Sequence, residues 1–141
     1  MESKLLTRLL TWLSFILMFI QTSNEAFASH AQSADLTYRC LGGNQYEISL
    51  SFYRDCAGVA APGTVTINLA SASCAQNYNL TLNQIPGTGI DVSPICTAFN
   101  TECSGGTYPG VQEYIYRGTT TLPANCIDWV FSFSRAFGIK G

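Results

Sequence analysis

The chain has 141 residues, six cysteines, a net charge of −2 and only 11% charged residues, against about 25% in ordinary soluble domains. No surplus of Lys and Arg exists to neutralise phosphates, which argues against a nucleic-acid binder. A single histidine, His30, argues against a Ser-His-Asp hydrolase and against a His-rich metal centre.

Residues 1–28 read as a secretory signal peptide. Lys4 and Arg8 make a basic start, residues 9–20 are apolar apart from Thr11 and Ser14, and Ala26-Phe27-Ala28 is a small-x-small cleavage site. Twelve residues of helix reach about 18 Å, short of a roughly 30 Å hydrocarbon core, so a membrane anchor is the weaker reading. No cysteine stands directly after the apolar run, which argues against a lipid anchor. Cleavage after Ala28 would leave Ser29 at the mature N-terminus, no membrane span, and a product that is periplasmic, surface-bound or extracellular.

The mature part alternates like a sheet. Leu36, Tyr38 and Cys40 alternate with Asp35, Thr37 and Arg39; after Gly42-Gly43-Asn44, Tyr46, Ile48, Leu50 and Phe52 alternate with polar neighbours and Tyr53. A three-residue loop at 42–44 sets Tyr38 opposite Ile48, Leu36 opposite Leu50 and Arg39 opposite Glu47. A two-residue loop would set Arg39 against Ile48. The first register keeps one apolar face and gains a charge pair, so it is the one expected. Further strands are expected at 64–70 (Val65, Ile67 and Leu69 inward), 77–82 (Tyr78, Leu80 and Leu82 inward), 111–117 and 127–133. The last would carry Ile127, Trp129, Phe131 and Phe133 on one face. Pro86-Gly87-Thr88-Gly89, Ser104-Gly105-Gly106 and Pro109-Gly110 mark turns. Six or seven short strands with no 3.6-residue period predict an all-β chain, a disulfide-stabilised, immunoglobulin-like antiparallel β-sandwich over 29–134.

Cys40, Cys56, Cys74, Cys96, Cys103 and Cys126 all follow the leader. An exported chain with an even count reads as a disulfide framework, and the absence of Cys-x-x-Cys pairs speaks against zinc. Six cysteines allow about 15 pairings. The favoured bridge is Cys96–Cys103, which closes a short loop of mostly small and polar residues worth about 2.5 kcal/mol of chain entropy.

No catalytic residue, cofactor site or metal site is readable. Asp35, Glu47, Asp55, Asp91, Glu102, Glu113 and Asp128 are scattered over strand edges and loops, where a glycosidase needs two facing carboxylates. Asp55, beside Cys56, suits an Asx turn. Asp91 and Ser93 lack the spaced oxygen ligands of a calcium loop. Tyr38, Tyr46, Tyr53, Tyr78, Tyr108, Tyr114, Tyr116 and Trp129 could stack on a sugar, though core and cross-strand packing is the expected use of about half of them. Asn79-Leu80-Thr81 is a glycosylation sequon, with Leu80 in a strand.

The order A-D-L-T-Y-R-C-L-G-G-N-Q-Y (34–46), S-F-Y-R-D-C (51–56), I-P-G-T-G (85–89), Q-E-Y-I-Y-R-G-T (112–119) and T-L-P-A-N-C-I-D-W-V-F-S-F-S (121–134) resembles the N-terminal region of large gliding-motility-associated, type IX secreted surface proteins. The resemblance implies a non-enzymatic, adhesin-like or structural module at the cell surface, with a protein or glycan ligand that the motifs do not name. In such relatives the D-W-x-F-S-x motif leads into Cys-Cys-Arg-Asn and a further strand, whereas here residues 135–141 diverge. The resemblance therefore implies a fragment without its sorting domain and last strand, with an apolar patch near 129–133 and at least two unpaired cysteines, Cys126 foremost. The alternative is a stand-alone secreted carbohydrate-binding module that uses exposed Tyr or Trp.

Overall fold

The computed structural model describes residues 31–134 apart from Thr97. The signal peptide, its cleavage site, His30 and the divergent tail lie outside the described residues. The elements in chain order are β1 (Ala31–Gly42), β2 (Gln45–Asp55), β3 (Thr64–Ser71), β4 (Gln76–Gln84), β5 (Ile90–Asp91), one 3-10 turn (Glu102–Ser104), β6 (Val111–Thr121) and β7 (Val130–Ser132). All pair antiparallel in one sheet of order β1-β2-β6-β4-β3-β7, with β5 on β6. No helix among the described residues is long and apolar enough to cross a membrane.

The alternation of apolar and polar residues gives this sheet one apolar face, and the sheet folds over to bury it. Ile48, Leu50 and Phe52 of β2, Val65, Ile67 and Leu69 of β3, Leu82 of β4 and Tyr116 of β6 are all buried in one cluster, so β2 and β6 face β3 and β4 across a common core. The layers join where β4 meets β6, and only Asn83–Arg117 and Gln84–Tyr116 pair there. Gly118 lies opposite Ile48. A Cβ on it would come within 2.7 Å of Leu82 Cδ2, so its bare backbone is the slot that receives Leu82. Tyr116 is fully buried, and its hydroxyl donates to the Pro62 carbonyl at 2.6 Å; among the described residues no buried side-chain N or O atom lacks a partner.

The β1–β2 hairpin has the expected register: Leu36–Leu50, Tyr38–Ile48 and Arg39–Glu47 are opposed. Arg39 Nη2 donates to Glu47 Oε1 at 3.0 Å, and Arg117 approaches the other carboxylate oxygen at 4.0 Å. The loop differs in detail. Gly42 pairs with Gln45, Leu41 is bulged, and the turn is Gly43-Asn44. Both turn residues have positive φ (57° and 62°), the conformation whose twist matches a hairpin.

Several expectations are corrected. Cys103 pairs with Cys56 rather than Cys96, and Cys126 is not free but pairs with Cys74; the unpaired cysteines are Cys40 and Cys96, both exposed. Cys103 turns toward Cys56 because Gly110 opens space for it: a Cβ on Gly110 would lie 2.5 Å from Cys103 Sγ, and the Cys56 amide donates to the Gly110 carbonyl at 2.9 Å. The last strand covers only Val130–Ser132. Trp129, Phe131 and Phe133 share one face as expected, but they pack on the core instead of leaving the apolar patch expected near 129–133, and Ile127 is fully exposed. The Cys74–Cys126 bridge and the Asp128 carboxylate, bonded to Ser71 and Ser73, hold 126–129 as a turn, and Ile127 at its apex faces water.

Candidate functional site

The polar side chains singled out in the sequence hold loops in place. Asp55 Oδ1 accepts the Ala57 amide at 2.9 Å, the expected Asx turn. Its neighbour Arg54 grips the same loop: its guanidinium donates to the carbonyls of Val59 (2.6 Å), Gly58 (2.9 Å) and Cys56 (3.1 Å) and to Gln112 Oε1 (2.6 Å). One planar fork thus sets the path from β2 into the Cys56–Cys103 bridge.

Asp91 is the hub of a second loop at the same end of the sheet, since Asp91 and Arg54 both pair with Gln112 of β6. Oδ1 accepts the Ser93 amide at 2.9 Å and the Ser93 hydroxyl, and Oδ2 accepts the hydroxyl of buried Thr101. Ser93 Oγ in turn accepts the Val111 amide at 2.8 Å. These bonds favour the charged form and hold the Asp91 carboxyl below its ordinary pKa. Both oxygens are occupied by protein donors, so Asp91 and Ser93 act as a clasp between β5, the 3-10 turn and β6. Asp128 is used alike: Ser71 Oγ (2.6 Å), Ser73 Oγ (2.5 Å) and the Ser73 amide (2.8 Å) all donate to it and push its pKa far down. The Tyr53 hydroxyl donates to Glu113 at 3.0 Å, and that carboxylate raises the phenol's pKa. No group of three or more His, Cys, Asp or Glu suited to a metal lies among the described residues.

The aromatic residues divide by location. Tyr46, Tyr78, Tyr114 and Trp129 pack on the core, and Tyr78 and Trp129 meet edge to face at 6.0 Å. Trp129 Nε1 donates to the Ala124 carbonyl, so its polar end is also satisfied. Tyr38 is 65% exposed; its ring lies 5.4 Å from Phe131, so the inner sides of the two outermost strands, β1 and β7, touch through aromatic rings. At the other end, the rings of Phe99 (50% exposed) and Tyr108 (46%) meet at 5.0 Å, tilted by 59° to each other. Exposed Ile90 and Val92 belong to the same Asp91-clasped loops. The Phe99–Tyr108 pair is the candidate binding surface, because two large rings are held in water on loops that a disulfide and a carboxylate clasp fix. Sequence reading had Tyr108 among its candidates but missed Phe99. The available signal was a lone aromatic in an otherwise small and polar loop.

No known family, curated protein or solved structure matches the chain.

Proposed function

We infer that the chain is a non-enzymatic, exported cell-surface module with an adhesive or structural role, related to the N-terminal region of large gliding-motility-associated surface proteins. The observation that carries this reading is where its polar chemistry goes. Arg54, Asp55, Asp91 and Asp128 are spent on fixing loops, and two bridges spanning 47 and 52 residues tie the loops to the sheet. Such long-range staples suit an oxidising, extracytoplasmic setting. The test is surface labelling of intact source cells with a membrane-impermeant amine reagent, followed by attachment and spreading assays on cells lacking the gene. Labelling together with an attachment defect is the expected result. Protein found only in the cytoplasm overturns the reading.

A second reading, a secreted carbohydrate-binding module, is favoured by one observation, the exposed Phe99–Tyr108 pair. It predicts glycan-array binding that falls about fivefold in each of Phe99→Ala and Tyr108→Ala, since a ring stacked on a ligand typically contributes about 1 kcal/mol.

A further inference from the structure

β1 is twelve residues long and is the first strand of the sheet order, so one of its edges has no strand beside it among the described residues. A long edge with free N–H and C=O groups is a template for another strand. Natural edges are blunted by charge, proline or brevity, and this one has no proline and only two charged residues, Asp35 and Arg39. Those two lie symmetrically about Thr37, as do Leu36 and Tyr38.

We propose that β1 is a homodimerisation edge, on which a second copy of this chain pairs antiparallel about a two-fold axis through Thr37. Inner faces stay on the same side of a continuous sheet only if opposed residues have the same parity, so the axis must pass through a residue. An axis at Asp35 or Arg39 opposes like charges. An axis at Leu36 sets Arg39 against Ser33 of the partner subunit, and one at Tyr38 sets Asp35 against Leu41 of the partner subunit. Thr37 is the position at which Asp35 meets the partner's Arg39, twice by symmetry. The same register sets Leu36 against the partner's Tyr38 on the inner face, an aromatic–aliphatic pair formed twice.

The structure leaves these groups available. Asp35 makes no ion pair among the described residues. Arg39 is 71% exposed while it holds Glu47, so its outer side is free to take a second carboxylate. Tyr38 is the most exposed tyrosine on the inner side of the sheet. Dimerisation would cover it and join two β1–β2 hairpins into one sheet. Cys40 would face the partner's Ala34, so this dimer needs no disulfide.

The test uses the mature chain with Cys40→Ser and Cys96→Ser. Sedimentation equilibrium should show a reversible dimer, weakened on the order of tenfold by Asp35→Lys, which turns both charge pairs into repulsions. Adding Thr37→Cys places two thiols on the axis, where opposed Cα atoms lie about 4.5–5.5 Å apart, within disulfide reach. Oxidised glutathione should then give a covalent dimer. Ser33→Cys should not crosslink, because its twin would lie about 26 Å away at 3.3 Å per residue. A monomer at all concentrations overturns the proposal. So does a dimer in which Thr37→Cys fails to crosslink, or one that forms with Cys40 and Cys96 present and vanishes when both are serine.

Discussion

Asp128 shows how a single side chain can decide whether a loop stays closed. Three donors from Ser71 and Ser73 converge on its carboxylate, and its folded pKa falls well below the unfolded value of about 3.9. A depressed carboxylate pKa contributes stability that is fully present above the unfolded value and is lost as pH falls through the folded one. Asp128→Asn should therefore lower the Tm at pH 7, and the gap between variant and parent should narrow steadily below about pH 4. Thermal melts at pH 7, 4 and 2.5 check this; a gap independent of pH would mean that the contacts act through shape and not charge. Gly118 makes the opposite kind of point, since it acts by having no side chain. With Leu82 Cδ2 2.7 Å from its would-be Cβ, Gly118→Ala overpacks the core and should cost about 1–3 kcal/mol in urea unfolding. The companion change Leu82→Val should recover part of that loss.

At the scale of elements, local pattern was legible and long-range pairing was not. The hairpin register could be read because one residue of slip exchanges its faces, and because Arg39 and Glu47 have a reason to meet. That pair is exposed, so a double-mutant cycle over Arg39→Ala and Glu47→Ala should give at most about 1 kcal/mol, less at high salt. β3 and β4 were likewise legible from Val65, Ile67, Leu69 and Leu82. The disulfides were not. A seven-residue spacing made Cys96–Cys103 look favourable, but the pairing is set by where β2 and β6 end and by the space at Gly110, and neither is local. β7 was over-read for a related reason. The alternation of Ile127 with Trp129 is strand-like, yet the tethers at Cys126 and Asp128 override it. The candidate site was half legible: Tyr108 stood out, whereas Phe99 gains meaning only when the fold brings it against Tyr108. The Cys74–Cys126 bridge spans 52 residues, for which the chain-entropy model gives about 4 kcal/mol. Replacing both residues by serine should lower stability by about 2–5 kcal/mol and free Ile127–Trp129 first, which amide exchange at Trp129 would reveal.

For the whole molecule, the two remaining thiols mark opposite ends of the sandwich. Cys40 pairs in register with Tyr46 near the hairpin turn. Cys96 belongs to the loops clasped at the far end of β2, where Val111 lies opposite Asp55 and the Val92 amide bonds to the Val111 carbonyl. Nine residues of β2 separate those register positions, about 30 Å at 3.3 Å per residue. Cys96 is only four residues past Val92, so it cannot reach back to Cys40, and a disulfide needs Cα atoms within about 7 Å. Both thiols are exposed. Native protein should therefore take up two maleimides per chain without denaturant, at Cys40 and Cys96, while Cys56, Cys74, Cys103 and Cys126 react only after reduction. Oxidation of the folded protein should give mixed disulfides or chain-to-chain links but no Cys40–Cys96 bridge. Peptide mapping of the oxidised monomer decides the matter: a Cys40–Cys96 peptide would mean that the β2–β6 layer does not hold the two ends of the molecule apart.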